Sequence, residues 1–217
     1  MADTMNTFSW QLLAGAAKGE VDQEALAELQ VAWRSLPALK APDLDVARSA
    51  WAISQAARLL PKQAELTNLA AATLGTVRSE LALSAGLLKK EANDETVLTV
   101  LYGCLILRNA AAVGLARVTP DTVTESLLAK TAASSPMRVI ALSFLAPSGK
   151  TDAAFARLIR EGGLSGPDQV VLACLAAQQR GGNLRRQFNA ELTGLLGAQP
   201  LDGNVILTAN RLVSRQK

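Results

Sequence analysis

The side chains able to do chemistry are unevenly supplied in this chain. Histidine is absent, which removes the commonest general base near neutral pH and the commonest metal ligand. Neither a Ser-His-Asp triad nor a His-containing zinc site can be assembled within one copy. The two cysteines, Cys104 and Cys174, lie far apart in apolar runs, as buried structural thiols do. Carboxylates are plentiful, as at Asp43, Asp45, Asp94 and Glu95, but they stand at expected helix starts, where the helix dipole stabilises negative charge. The glycines of "GLSGPDQVV" precede a helix, with no preceding strand and no Lys-Ser/Thr pair to make a phosphate cradle. The sequence therefore predicts a chain without catalytic machinery, cofactor or metal.

Two other sets of residues remain as candidate contacts. "QQRGGNLRR" (178–186) places Arg180, Arg185 and Arg186 around a Gly-Gly pair, and Arg211, Arg215 and Lys217 follow on the final helix. Residues four apart share a helix face, so Arg211 and Arg215 line one side. Phosphate binding needs such a cluster, because affinity rises with each phosphate neutralised. The competing reading is a solvated basic surface, with Asp168, Glu191 and Asp202 weakening its field. Trp10, Trp33 and Trp51 all fall in the first quarter. Trp33 and Trp51, on consecutive expected helices, are placed to pack across one hairpin; exposed, these rings would anchor a partner peptide or a dimer contact.

Charge follows the same division. The net charge is +3 and the isoelectric point about 9.1, yet residues 1–137 carry 12 Lys and Arg against 14 Asp and Glu, and residues 138–217 carry 10 against 5. The basic part is the C-terminal third, too weakly charged to argue for nucleic acid by net charge alone.

The elements that must position these residues are helices. The 217 residues suffice for one large domain or two small ones, 49% are hydrophobic and only 4% aromatic, and Ala and Leu, the strongest apolar helix formers, dominate. An all-α fold follows, read as a single domain over 1–217 with a possible division into 1–117 and a basic 118–217. The start lacks a basic n-region, having Asp3 and no Lys or Arg before Lys18, so no signal peptide is expected. "TVLTVLYGCLILRNAAAVGLA" (96–116) approaches membrane-span length but contains Arg108 and Asn109, and reads as a buried core helix. A cytoplasmic protein is the expectation.

Polar caps and prolines mark helix starts at Thr119-Pro120-Asp121, Ser135-Pro136 and Gly166-Pro167-Asp168, with weaker signals at Asp22, Asp45, Asn93, Asp152 and Asp202. Stops fall at Gly19, Gly162-Gly163, Gly181-Gly182 and Gly197. Together they predict helices near 5–18, 22–36, 44–60, 63–91 (or broken at Gly75 or Gly86), 94–114, 120–133, 136–145, 151–162, 167–180, 183–196 and 203–215. The short connections make neighbouring helices antiparallel hairpins.

A cap followed by a Val-containing helix recurs as "DLDVARSAWAI", "NDETVLTVLYGCL", "SPMRVIALSFLA", "GPDQVVLACLAA" and "LDGNVILTANRLV". The spacings from Val139 to Val170 and on to Val205 suit repeats of two helices and their turns. The last eighty or so residues, "SPMRVIALSFL" and "NVILTANRLV" above all, resemble the second helix of HEAT or armadillo-type repeats. The resemblance implies a right-handed array of antiparallel helical hairpins, a degenerate α-solenoid; the alternative is a compact helical bundle. Some HEAT-like proteins are DNA glycosylases with aromatic residues in a basic groove, but the basic third here holds Phe144, Phe155 and Phe188 and no Trp or Tyr. The expected function is a non-enzymatic scaffold for a protein partner, with a homo-oligomer as a secondary expectation. Nucleic acid bound by the basic third is the alternative, and no membrane partner is expected.

Overall fold

A computed structural model of the chain describes residues 2–115, 118–130, 135–197 and 203–214. These residues form eleven α-helices and no strand: α1 (Ala2–Lys18), α2 (Gln23–Arg34), α3 (Leu44–Leu59), α4 (Ala64–Leu88), α5 (Asp94–Ala112), α6 (Thr122–Lys130), α7 (Pro136–Leu145), α8 (Gly149–Arg160), α9 (Gly166–Gln178), α10 (Gly182–Leu196) and α11 (Gly203–Ser214). The all-α expectation holds, and the expected helices are the observed ones to within a few residues at their ends.

Local chemistry sets those ends. The side chains of Asp22, Asn93 and Ser135 accept from the free N–H groups of Ala25, Thr96 and Arg138, and Asp121 accepts from Val123 and Thr124. Pro136 and Pro167 occupy first-turn positions that need no N–H. Two expected caps are displaced. Asp43, rather than Asp45, caps α3, which leaves Asp45 to pair with Arg48; Ser148 caps α8, which leaves Asp152 free for another role. Asp202 lies outside the described residues. Gly19 (φ 102) and Gly162 (φ 66) take the left-handed conformation that closes α1 and α8.

Helix α4 runs unbroken through Gly75 and Gly86, where an added Cβ would meet nothing within 4 Å. Gly75→Ala and Gly86→Ala are each expected to raise stability by about 0.5–1 kcal/mol by removing helix-interior glycine. The midpoint of urea unfolding checks this, and a fall would mean that α4 needs local freedom at those positions.

The helices divide into two compact units, Met1–Lys130 and Thr131–Lys217. The sequence placed a possible division after residue 117, but α6 packs on α5 and α4, so the segment as far as Lys130 belongs with the first unit. Within that unit α3 packs against α1, α4 and α5, and α4 touches α2 and α6. Every residue of α3 from Val46 to Ala57 and of α5 from Val97 to Leu107 is buried. That burial on all sides is why "VLTVLYGCLIL" is apolar all round rather than striped. No helix among the described residues is long and apolar enough to cross a membrane.

The two central helices are tied by polar as well as apolar contacts. Asn109 of α5 donates to Ser54 Oγ (3.1 Å) and Gln55 Oε1 (3.0 Å) and accepts from Arg58 on α3, so this buried amide has its partners. Gly103 lets α5 approach α4, since a Cβ there would lie 2.6 Å from Leu81 Cδ1. Arg108 grips Glu125 of α6 through two hydrogen bonds of 2.6 and 2.9 Å, which raises the arginine's pKa further and fixes α6 on α5.

In the second unit α9 is central, buried from Asp168 to Ala177 and packed on α7, α10 and α11. Phe155 of α8 and Phe188 of α10 meet edge to face at 5.0 Å. Asn189 of α10 accepts from Gln178 of α9 and donates to the carbonyl of Val213 on α11.

Candidate functional site

The arginines of the basic unit have different fates. Arg180 is turned inward: its side chain is 8% exposed, Nε donates to Asp152 Oδ1 at 2.7 Å, and an Nη donates to the Ser143 carbonyl at 2.9 Å. It joins the end of α7, the start of α8 and the α9–α10 turn. Arg185 is half-exposed and has no ion pair or side-chain hydrogen bond among the described residues. Arg186 is exposed and donates to Asn183 Oδ1. The Asn189–Val213 bond joins the middle of α10 to the end of α11, the helix that carries Arg211. Arg215 and Lys217 lie outside the described residues. Carboxylates accompany other basic groups, Glu161 on Arg157 (2.8 Å) and Glu191 beside Arg160 (3.8 Å).

The three tryptophans are buried. Trp51 packs edge to face on Trp10 of α1 at 6.2 Å and lies tilted on Tyr102 of α5 at 4.8 Å. The expected Trp33–Trp51 hairpin contact is replaced by a Trp10–Trp51–Tyr102 cluster, because α3 packs on α1 and α5 while α2 packs on α1 and touches α4. Trp33 instead closes the bottom of a groove between α2 and α4.

Both cysteines are free and buried. Burial pushes each thiol up to about 12, so neither forms the thiolate needed for nucleophilic or redox chemistry. Native protein at pH 8 is expected to resist iodoacetamide at both positions until denaturant is added. Rapid native alkylation of either thiol, read by mass spectrometry, would contradict that burial.

One buried acid had not been singled out by its sequence. Glu80 of α4 accepts the Asp43 backbone N–H at 2.8 Å, pinning the segment before α3 to α4. Burial pushes its carboxyl up to about 7; the hydrogen bond from Asp43 opposes the rise, and the Asp43 carboxylate adds to it. One turn on, Ser84 is buried and its hydroxyl has no partner among the described residues. Neither side chain has a nucleophile–base partner, and no group of three or more potential metal ligands occurs among the described residues.

Among the described residues of the first unit, clefts open at the α2–α4 groove and at the α4–α5 turn. The α2–α4 groove encloses about 380 Å³; Leu26, Trp33 and Leu69 form its floor, and Gln30, Arg34 and Glu65 are among its rim residues. The second, about 300 Å³, lies at the α4–α5 turn, between Pro42 and Leu44 on one side and Leu87, Glu91 and Glu95 on the other. Sequence alone could not place either cleft, since each is made by elements far apart in the chain.

Neither a family model nor a curated protein nor a solved structure matches this chain.

Proposed function

We propose that the protein is a non-enzymatic interaction module, an array of antiparallel helical hairpins that holds a segment of another protein in the α2–α4 groove. The array reading is supported by which helices touch. In the first unit α3 lies between α1 and α5, and α4 touches α2 and α6; in the second, α9 lies between α7 and α11, and α8 touches α10. A helix whose neighbours include the elements two before and two after it is what stacked hairpins produce.

The observation that carries the functional reading is the groove itself. Between α2 and α4 lies a groove whose apolar floor, Leu26, Trp33 and Leu69, is almost wholly covered, with the exposed Ala27 and Ala72 and mixed polar side chains above it. That is the arrangement into which an amphipathic partner helix lays its apolar face. Val31, 62% exposed, stands on α2 one turn from Ala27 of the groove lining.

A photo-reactive residue at Gln30, compared with one at exposed Gln187 of α10, tests this in the full chain. A discrete adduct from Gln30 alone, with a partner that binds in purified form, is the expected result. Equal capture from both positions would contradict it. Nucleic acid is the competing occupant class; with Arg180 engaged internally, its footprint would fall on Arg185, Arg186 and Arg211. Salt-sensitive oligonucleotide binding lost in Arg185→Ala/Arg186→Ala would favour that class.

A further inference from the structure

We propose that the cleft at the α4–α5 turn seats a lysine or arginine side chain of a partner's amphipathic segment, while that segment's aliphatic residues lie along Leu83 and Leu87. This rests on the interaction-module reading and names the chemistry of a second contact surface. Leu83 and Leu87 are 38% and 43% exposed. They stand one helical turn apart on α4, so they share a face, and Leu87 forms part of the cleft wall. An apolar stripe thus leads directly into a pocket.

The pocket's contents select the occupant. Pro42, Leu44 and Leu87 supply apolar walls, and the ionisable groups lining it are Glu91 and Glu95, with no Lys or Arg. The capping role at the start of α5 is filled by Asn93, which accepts the Thr96 N–H at 2.9 Å. The Glu95 carboxylate, which the helix dipole stabilises in the first turn of α5, has no ion pair or side-chain hydrogen bond among the described residues, and Glu91 accepts only a 3.3 Å bond from Asn93. A long side chain with an apolar stem and a cationic head matches these walls and this rim. About 300 Å³ is at the small end of ligand pockets and suits one such side chain better than a cofactor. Lys89 and Lys90 lie on the adjoining turn outside the lining, so the attraction is local to the cleft and screened by salt.

The probe is a fluorescein-labelled helical peptide with leucines at i and i+4 and lysine at i+7, beside matched peptides carrying glutamate or norleucine in place of lysine. Anisotropy is read with the full chain at low and near-physiological salt. The lysine peptide is expected to bind the wild type best. It should bind about three- to tenfold more weakly to Glu91→Gln/Glu95→Gln, and about tenfold or more weakly to Leu87→Asp. Circular dichroism confirms that the variants remain folded. Equal affinity for the three peptides, indifference to Glu91→Gln/Glu95→Gln, or no binding at 1 mM overturns the proposal. Failure here with the Gln30 adduct intact removes this site alone, whereas loss of both removes the interaction reading.

Discussion

Arg180→Ala is expected to destabilise the second unit by about 3–5 kcal/mol, the usual cost of removing one member of a buried ion pair. The guanidinium is enclosed between Asp152, itself 19% exposed, and the Ser143 carbonyl. That carbonyl is one of the last of α7, and so has no acceptor role left within its own helix. Deleting the arginine leaves the Ser143 carbonyl and the partly exposed Asp152 carboxylate without their donor. Arg180→Lys keeps the charge but not the fork, and is expected to recover only part of the loss. Hydrogen exchange of the α9 amides in the full chain is the appropriate readout, with protection falling at least about 100-fold for Arg180→Ala. Unchanged α9 protection would show that the pair contributes nothing to the unit. The same result separates structure from binding, because Arg185→Ala and Arg186→Ala are expected to leave stability within about 0.5 kcal/mol.

Glu80→Gln is expected to stabilise the first unit above pH 7 and to abolish a pH dependence present in the wild type. The folded state holds the Glu80 proton up to about pH 7, whereas the ordinary carboxyl value is 4.5. Below pH 4.5 both states are protonated and the group imposes no penalty. Between 4.5 and about 7 the native state binds more protons than the unfolded one, so this contribution to stability declines as pH rises. Above pH 7 the full difference, about 3 kcal/mol, weighs against folding. An amide in its place has no charge to bury and retains an oxygen for the Asp43 N–H. The expected gain is about 1–3 kcal/mol at pH 8, shrinking toward zero below pH 4.5. Tryptophan fluorescence reports this unit specifically, since Trp10, Trp33 and Trp51 all lie in it. Parallel stability–pH curves for wild type and variant would contradict the account.

Much of the fold was legible because its punctuation is local. Asp22, Asn93 and Ser135 announce helices in the residues beside them, and Gly19 and Gly162 close helices through their own backbone conformation. The all-round apolar character of α5 and α9 likewise points inward without reference to any partner helix. Roles decided by distant residues were not legible. Arg180 looks like its neighbours Arg185 and Arg186 until Asp152 arrives from the start of α8. Trp51 meets Trp10 and Tyr102 only because α1 and α5 flank α3. Glu80 did leave a signal: Thr73, Val77, Ser84 and Leu88, with which it shares a three-to-four spacing, are all buried. A carboxylate on such a stripe implies a buried donor, although only the fold identifies that donor as the backbone of Asp43.

The α2–α4 groove carries the functional account, and blocking it tests that account most directly. Ala27 and Ala72 are exposed residues of its lining, and both tolerate arginine as a helix former. Calorimetric titration of the partner recovered through Gln30 into wild-type protein and into Ala27→Arg/Ala72→Arg gives the decisive comparison. Saturable binding to the wild type, weakened at least about tenfold in the blocked but equally stable variant, is the predicted result. Equal binding by the two proteins would contradict the claim that this groove is where the protein holds its partner.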